Sequence, residues 1–293
     1  MDHLCFNDVS HSYRTTKALS HVNLQIKAGE IVGLIGANGA GKSTLMNLAS
    51  GLRTPSQGSV KIFGRDPIDL EVKYRRRVLP QEVHFPVYIK VKEIIETVAA
   101  HDSGYEIESL IDRLEMSPLL NRLTSELSGG ERRKLGIICS LLGAPDLVLL
   151  DEPTANVDLL AKARIREILL EYFKCAPGKS LLFSSHSMSE VELLAERVIV
   201  LFKGRIVADS RVQDLRTLTG MKKVKFESLS SKMQIGSANR LSVSGTQYVA
   251  YGTNSDDMLK EVIGKDPQAR NFEVGLPNLE EAIMQLWSER SAE

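Results

Sequence analysis

Short apolar runs alternate with longer amphipathic stretches over the first two thirds of the chain. Three of the runs are almost purely apolar and β-prone, a pattern typical of strands buried on both faces. They are EIVGLIG (30–36), LVLLD (147–151) and SLLFSSH (180–186). SVKIFG (59–64) predicts a further strand, and RVIVLFKGRIVAD (197–209) predicts a hairpin that turns at Lys203 and Gly204.

Helical periodicity fills the segments between these strands. KSTLMNLASG (42–51) predicts a helix that Gly51 ends, and residues 87–142 are mainly helical. LLAKARIREILLEYF (159–173) is amphipathic, with one face predicted to hold Leu160, Ala163, Ile168 and Tyr172. Strands that alternate with helices indicate an α/β fold, with a mainly parallel sheet covered on both faces.

The composition changes after about Thr219, where a Ser-rich stretch with β-like pieces begins. SDDMLKEVIG (255–264) predicts a helix with Ser255 as its N-cap. NFEVG (271–275) predicts a strand, and PNLEEAIMQLWSER (277–290) predicts a helix with Pro277 near its start. We therefore predict two domains, 1–219 and 220–293, with a helical subdomain at about 87–142 in the first and an α+β fold in the second.

Charge and cysteine content narrow the classes of function. The 37 basic and 37 acidic side chains cancel, so bulk electrostatic binding to nucleic acid or lipid is not expected. Cys5, Cys139 and Cys175 lie far apart without a CxxC pair, which favours inert thiols in a reducing cytosol. No signal peptide and no run of 18 apolar residues is evident, so we expect a cytoplasmic chain that does not span a membrane by itself.

GANGAGKST (36–44) follows a predicted strand and opens a predicted helix, as a phosphate-binding loop requires. Its glycines let the backbone N–H groups wrap around phosphates. Lys42 is placed to reach the β- and γ-phosphates, and the Ser43 hydroxyl is placed to bind Mg²⁺. The predicted nucleotide-binding residues of the loop are Gly36, Asn38, Gly39, Gly41, Lys42, Ser43 and Thr44.

Polar side chains at the ends of other predicted strands complete a candidate catalytic site. Asp151 ends a buried strand and suits Mg²⁺, while Glu152 is placed to polarise the attacking water. His186 ends a third strand at the sheet edge where α/β folds bind ligands, and there it can contact the γ-phosphate and hold the carboxylate. Gln81 also follows a strand-like segment and can reach Mg²⁺ or the water.

Two further features of the sequence are suited to bind parts of a nucleotide. Tyr13 can stack on adenine, although core packing is the ordinary role of a lone tyrosine. In LSGGERRK (127–134), Ser128 precedes Gly129 and Gly130 at a predicted helix start, where exposed N–H groups can hold an anion.

Taken together and in this order, the motifs resemble those of the ATP-binding subunit of ABC transporters, over roughly residues 2–219. The resemblance implies an α/β P-loop NTPase domain of the ABC type. It assigns residues 36–44 to Walker A, Gln81 to the Q-loop, LSGGE to the signature and LVLLDE to Walker B. It further assigns Tyr13 to adenine stacking, Asp158 to the D-loop and His186 to the switch histidine. Departures are Glu131 in place of the usual Gln, and Asn156 and Val157 in place of Gly and Leu.

The resemblance also implies cofactors and partners. ATP and Mg²⁺ would bind between two subunits, with Ser128, Gly129 and Gly130 of one subunit on the γ-phosphate held by Lys42 of the other. A separate transmembrane permease would be driven from the cytoplasmic face of the membrane, and no nucleic acid is expected. The tail FEVGLPNLEEAIMQLW is similar to that of drug and antibiotic exporters, which favours export.

Three alternatives stay open at this point. The chain can be a soluble ABC-type ATPase acting on ribosomes or DNA, although ribosome-acting relatives usually carry two ATP-binding domains and DNA-repair relatives a long coiled coil. It can be a regulatory module that holds ATP without hydrolysis, against which Glu152 and His186 argue. The tail can be a packing appendage.

Overall fold

A computed structural model describes residues 2–100, 107–218, 220–230 and 233–291. The chain divides into two units, Met1–Asp209 and Ser210–Glu293. Residues 101–106 of the predicted helical subdomain lie outside the described residues, as does Thr219, the predicted end of the first domain. The predicted boundary at 219 therefore stays a prediction.

The first unit holds nine strands and seven α-helices among its described residues, with β9 running two residues into the second unit. The strands are β1 (Asp2–Tyr13), β2 (Thr16–Lys27), β3 (Ile31–Gly36), β4 (Gln57–Ile62), β5 (Arg76–Leu79), β6 (Leu147–Asp151), β7 (Ser180–Ser185), β8 (Arg197–Phe202) and β9 (Arg205–Arg211). The helices are α1 (Lys42–Ala49), α2 (Leu70–Arg75), α3 (Val91–Ala99), α4 (Ile107–Arg113), α5 (Gly129–Leu141), α6 (Leu159–Cys175) and α7 (Met188–Leu194). Two short 3₁₀ turns, Ser117–Leu119 and Thr124–Glu126, precede α5.

A six-stranded sheet in the order β5-β6-β7-β3-β8-β9 forms the centre of this unit. Neighbouring strands from β5 to β8 are parallel, and every residue of β3, β6 and β7 is buried. The three apolar runs are therefore strands, as predicted, and the hairpin of β8 and β9 turns at Lys203 and Gly204. Because all these parallel strands point the same way, the residues that follow β3, β6 and β7 meet at one edge.

A second, antiparallel sheet has the order β2-β1-β4. The sequence did not predict β1 and β2. Their pairing carries several register shifts, at Asp2/Leu4, Phe6/Val9, Val9/His11 and His11/Ser12. The bulges break the alternation of buried and exposed residues in β1, whereas residues 22–27 of β2 alternate regularly and carried a strand signal that was missed.

The predicted buried face of α6 is partly wrong. Its buried side chains are Ala161, Ile165, Ile168, Leu169, Tyr172 and Phe173, whereas Leu160 is 69% exposed. Each residue advances a helix by about 100°, so Leu160 lies off the stripe that begins at Ala161. Ala163 is only half-buried for the same reason, while Ile168 and Tyr172 are buried as predicted.

The second unit contains a four-stranded antiparallel sheet in the order β11-β12-β10-β13. Its elements are α8 (Val212–Leu218), β10 (Lys222–Glu227), β11 (Arg240–Ser244), β12 (Gln247–Gly252), α9 (Ser255–Lys265), β13 (Arg270–Gly275) and α10 (Leu279–Ser291). Phe226, Tyr248, Met258 and Val262 lie in its buried cluster, which joins the sheet to α9.

Two helix starts in this unit refine the sequence predictions. The N-cap of α9 is Asn254, not Ser255, because the Asn254 side chain accepts hydrogen bonds from the N–H groups of Asp256 and Asp257. Both residue types cap helices well, so the sequence alone did not decide between neighbours. Helix α10 begins at Leu279, and Asn278 rather than Pro277 adjoins it, accepting a 2.8 Å bond from the Glu281 N–H.

Candidate functional site

The loop between β3 and α1 borders a cavity of about 380 Å³. Gly41 adopts a φ of 107°, and a Cβ atom there would lie 2.7 Å from the Ala18 carbonyl oxygen, so the position requires glycine. Seven of the predicted nucleotide-binding residues line this cavity, namely Tyr13, Asn38, Gly39, Gly41, Lys42, Ser43 and Thr44. The predicted catalytic residues Gln81 and Glu152 line it as well.

Lys42 is a buried cation at the base of this cavity. Its Nζ donates to the Gly36 carbonyl at 2.7 Å and to the Ala37 carbonyl at 3.4 Å. Burial lowers the pKa of Lys42, and the carboxylates of Glu152 and Asp151 act in the opposite direction. The ammonium is thus held inside its own loop, in a position suited to a ligand that brings negative charge.

Asp151 and Glu152 share one buried partner, the Ser184 hydroxyl at the end of β7. Ser184 Oγ donates to Asp151 Oδ1 at 2.5 Å and accepts a 2.9 Å bond from the Glu152 N–H. Glu152 has a left-handed φ of 52°, which turns the chain sharply after β6. Burial raises the pKa of Asp151, while the Ser184 bond acts to lower it.

The structure brings Glu152 and His186 together. His186 Nδ1 lies 3.6 Å from Glu152 Oε2, with the carboxylate largely buried and the imidazole largely exposed. Both follow central strands, β6 and β7, so their proximity comes from the parallel register of these strands. A carboxylate oriented by an imidazole at the mouth of a polar cavity is suited to accept a proton from water.

Gln81 and Ser43 also meet at this cavity, where Ser43 Oγ donates to Gln81 Oε1 at 3.4 Å. The Ser43 hydroxyl also acts to lower the pKa of Asp151. A hydroxyl, an amide oxygen and a carboxylate are hard oxygen donors of the kind Mg²⁺ prefers, and Mg²⁺ takes its other ligands from water and phosphates. Within the described residues no cluster of three or more His, Cys, Asp or Glu forms a metal cage.

One signature residue, Gly129, lines a different groove of about 230 Å³, together with Gln81, Arg133 and Asn156 among others. No signature residue lines the Lys42 cavity among the residues the structure describes. Within one chain, the signature and the phosphate loop are therefore not brought together.

Ser128 is the N-cap of α5 and forms a reciprocal pair with Glu131. Ser128 Oγ accepts a bond from the Glu131 N–H, and the Ser128 N–H donates to Glu131 Oε2 at 2.7 Å. The Ser128 N–H bond lowers the pKa of Glu131. This capping box gives the unusual glutamate of the signature a local structural role.

Asp158, Asn156 and Tyr13 were also singled out in the sequence, and each has a defined local structure. Asp158 caps α6, where its Oδ1 accepts a 2.9 Å bond from the Ala161 N–H. Asn156 has a φ of 60°, the left-handed backbone expected where relatives have glycine. Tyr13 ends β1 with one ring face near Arg53, whose guanidinium carbon lies 5.0 Å from the ring centroid.

Comparison with known proteins identifies the family. The sequence matches the family model described as "ABC transporter" over residues 19–155. It is 32% identical over 220 residues to the "ABC transporter ATP-binding protein NatA" of Bacillus subtilis (strain 168), with 72% of this chain and 89% of that protein covered. The chain belongs to the ABC transporter family. The resemblance seen in its motifs is thereby confirmed.

As a member of the ABC transporter family, the chain also matches solved structures. One described as "Structure of ATP binding subunit of ABC transporter" is 27% identical, with a TM-score of 0.67 and coverage of 74% of this chain and 93% of that one. This match confirms the predicted α/β fold of the ABC type. The "ATP-binding cassette sub-family A member 2" of Rattus norvegicus is 32% identical over 218 residues, and this chain, 69% of it aligned, spans 9% of that much longer protein.

The described helices of this ABC family member include none with the length and apolar character needed to cross a bilayer.

Sequence reasoning missed two buried polar residues at this ABC site, Ser184 and Arg133. Ser184 is fully buried in the otherwise apolar β7, and a serine in such a run was the available signal. Arg133 is 4% exposed and donates to backbone carbonyls of two segments. It stands in a run of three basic residues, a pattern typical of a solvated helix face.

Proposed function

We propose that the chain binds and hydrolyses ATP as the ATP-hydrolysing subunit of an ABC transporter. The observation that carries the proposal is the 3.6 Å approach of His186 Nδ1 to Glu152 Oε2 beside the cavity that holds Lys42. A module that only bound ATP would need the phosphate loop but not this pair.

In the proposed reaction, water attacks the γ-phosphorus of ATP, and the bond to the β-phosphate bridging oxygen breaks to give ADP and phosphate. Glu152 accepts a proton from the attacking water, and His186 keeps the carboxylate oriented and contacts the γ-phosphate. Lys42 neutralises charge on the β- and γ-phosphates, and the N–H groups of residues 36–44 surround them. Tyr13 stacks on the adenine.

Ser43, Gln81 and Asp151 would hold Mg²⁺, since their oxygen atoms meet beside Lys42. The ion would supply positive charge next to the phosphate oxygens. Ser184 keeps Asp151 and the backbone of Glu152 in place through its two hydrogen bonds.

The separation of the signature from the phosphate loop supports a dimer as the working form. Ser128, Gly129 and Gly130 start a 13-residue helix, whose N-terminal dipole favours an anion. In the dimer they bind the γ-phosphate held by Lys42 of a second ATP-binding subunit, and Asp158 lies at the same interface. The second subunit is either another copy of this chain or a related one.

The name of the solved relative, an ATP binding subunit of an ABC transporter, supports a separate membrane partner. We propose that the chain sits at the cytoplasmic face of the cell membrane and drives a transmembrane permease. The exporter-like tail, whose last described helix is α10, favours export.

The proposal is tested with purified Glu152→Gln and with Glu167→Gln, a control on the exposed side of α6. Loss of a general base lowers turnover by about 10²–10⁴-fold. We expect Glu152→Gln to keep ATP affinity and accumulate as an ATP-bound dimer in size-exclusion chromatography, while Glu167→Gln hydrolyses ATP normally. Wild-type rates of steady-state hydrolysis in Glu152→Gln would refute the assignment.

The dimer and the partner need separate measurements. Ser128→Arg, introduced into the Glu152→Gln background, should abolish the ATP-induced dimer, and a persisting dimer would contradict the role of the signature. Co-purification from detergent-solubilised membranes should recover a protein of several apolar spans that changes the ATPase rate. Recovery of ribosomal proteins instead would favour the soluble alternative.

A further inference from the structure

Arg133 lies on α5, one turn beyond the signature glycines, and is almost fully buried. Its Nη1 donates to the Pro80 carbonyl at 2.8 Å and to the Asp151 carbonyl at 3.4 Å, and its Nη2 donates to the Gln81 carbonyl. One guanidinium therefore joins the signature helix to the segment after β5 and to the end of β6.

The acceptors are backbone oxygens, and this sets Arg133 apart from an ion pair. Removing a cation from water is costly unless its N–H groups are satisfied, and the planar fork of arginine satisfies several acceptors at fixed angles. Such a fork fixes the path of the main chain at Pro80 and Gln81. A lysine at 133 would present a single ammonium, without that fork.

Gly136 explains how α5 comes close enough for these bonds. It follows Arg133 by three residues and so lies on the same side of the helix. A Cβ atom at Gly136 would lie 2.4 Å from Leu79 Cδ1, the last residue of β5. The missing side chain thus lets α5 pack directly on the strand that leads into Pro80 and Gln81.

The backbone of Gln81 is held by Arg133, and its side chain accepts a bond from Ser43 Oγ at 3.4 Å. A continuous set of contacts therefore runs from the helix that starts at the signature, through Arg133 and Gln81, to the phosphate loop. The two grooves of the site, which share Gln81 as a lining residue, are connected through this path.

We propose that Arg133 is a positioning residue, which sets the place of Gln81 in the ATP site according to the position of α5. The role rests on the proposed ATPase function. When α5 shifts as its signature engages a nucleotide on another subunit, the guanidinium moves the Pro80–Gln81 backbone with it.

The test compares Arg133→Met and Arg133→Lys with Arg113→Met, a control that removes an ion pair between α4 and Glu171. A misplaced group in an active site can lower turnover by about tenfold to a hundredfold. We expect kcat to fall at least about tenfold in Arg133→Met, with KM for ATP and the Kd of a fluorescent ATP analogue within about twofold of the wild type. Arg113→Met should keep wild-type kinetics.

Two readouts separate positioning from simple packing. Hydrogen–deuterium exchange in Arg133→Met should rise in peptides covering residues 79–85 and stay unchanged across α1. In combination with Gln81→Ala, Arg133→Met should reduce kcat no further than the stronger single variant, because both act through one residue. If Arg133→Met does not fold, Arg133→Lys is subjected to the same measurements.

An unchanged kcat, unchanged exchange at 79–85, or kcat losses that multiply in the double variant would each overturn the proposal. Absence of hydrolysis by the wild type would instead refute the proposed function. The exchange measurement needs no catalysis, so it tests the contact of Arg133 with the Gln81 segment in either case.

Discussion

Replacing Ser184 by Ala removes one hydroxyl with two buried partners. The Glu152 N–H loses its acceptor, and an unsatisfied buried donor costs about 1–3 kcal/mol. The Asp151 carboxylate loses a donor, and a hydrogen bond to a charged group contributes about 1.5–3 kcal/mol. Because the two losses share one site and are not additive, we expect Ser184→Ala to lower the free energy of unfolding by roughly 2–4 kcal/mol at neutral pH.

Ser140→Ala is the matched control, because Ser140 is equally buried but its hydroxyl donates only to Ile137 of the same helix. Its cost should stay below about 1 kcal/mol, since alanine is the better helix former. Urea unfolding is followed by the reaction of Cys139, a half-buried thiol of the first unit, with a maleimide. Equal unfolding midpoints for the two variants would refute the reasoning about Ser184.

The same variant has a pH dependence of known sign. Burial already raises the pKa of Asp151, and loss of the Ser184 bond raises it further. An acid with a raised folded-state pKa destabilises the fold as pH rises from the ordinary carboxyl pKa through the raised one. The stability difference between wild type and Ser184→Ala should therefore be largest at neutral pH and shrink towards pH 4, near the usual carboxyl pKa of about 3.9. A stability difference between the two proteins that grows on acidification would contradict this prediction.

Three further predictions concern other parts of the chain. Burial raises the pKa of Cys139 to about 12, so a maleimide at pH 8 should modify the exposed Cys175 but leave Cys139 unmodified until the protein unfolds. Mass spectrometry of the peptides shows which of the two cysteines carries the label. In the second unit, burial acts to raise the pKa of Glu281, but bonds from Lys223 and Tyr251 outweigh it and lower the pKa, so the stabilisation is lost as pH falls through that lowered value. Glu281→Gln should therefore lower the melting temperature, followed by the fluorescence of Trp287, by more at pH 7 than at pH 3. An equal loss at the two pH values would contradict this prediction. Asn254→Ala should lower the free energy of unfolding by about 1 kcal/mol, and Ser255→Ala should lower it far less, as measured by urea unfolding. A larger loss in Ser255→Ala would indicate that Ser255 is the N-cap.

Much of the fold was predictable where local pattern and final environment agree. Strands β3, β6 and β7 are apolar because both faces of the central sheet are covered. An uninterrupted apolar run of this kind can be recognised in the sequence alone. Strand β1 was not predicted, since bulges interrupt its alternation. Strand β2 was missed although residues 22–27 alternate regularly. Leu160 shows the same limit for helices. Periodicity predicts that α6 has an apolar face, but which residues are buried depends on the elements that pack against the helix.

Some residues of the candidate site could likewise be predicted from the sequence, and others could not. Lys42, Asp151, Glu152 and His186 could be predicted, because a loop motif and strand ends place them by sequence position. Arg133 could not, since its three acceptors come from segments that lie far from it in the chain and become its neighbours only in the tertiary structure.

Strand β3 leads into the phosphate loop, yet its sheet neighbours are made much later. It pairs with β7 on one side and β8 on the other, which span Ser180–Ser185 and Arg197–Phe202. During translation, this apolar strand has no partner until residue 185 has left the ribosome, and it has both partners only after residue 202 has done so. A nascent chain stalled before β7 would thus carry an unpaired, apolar β3 and a phosphate loop without its final support, which makes it a substrate for chaperones and prone to aggregate.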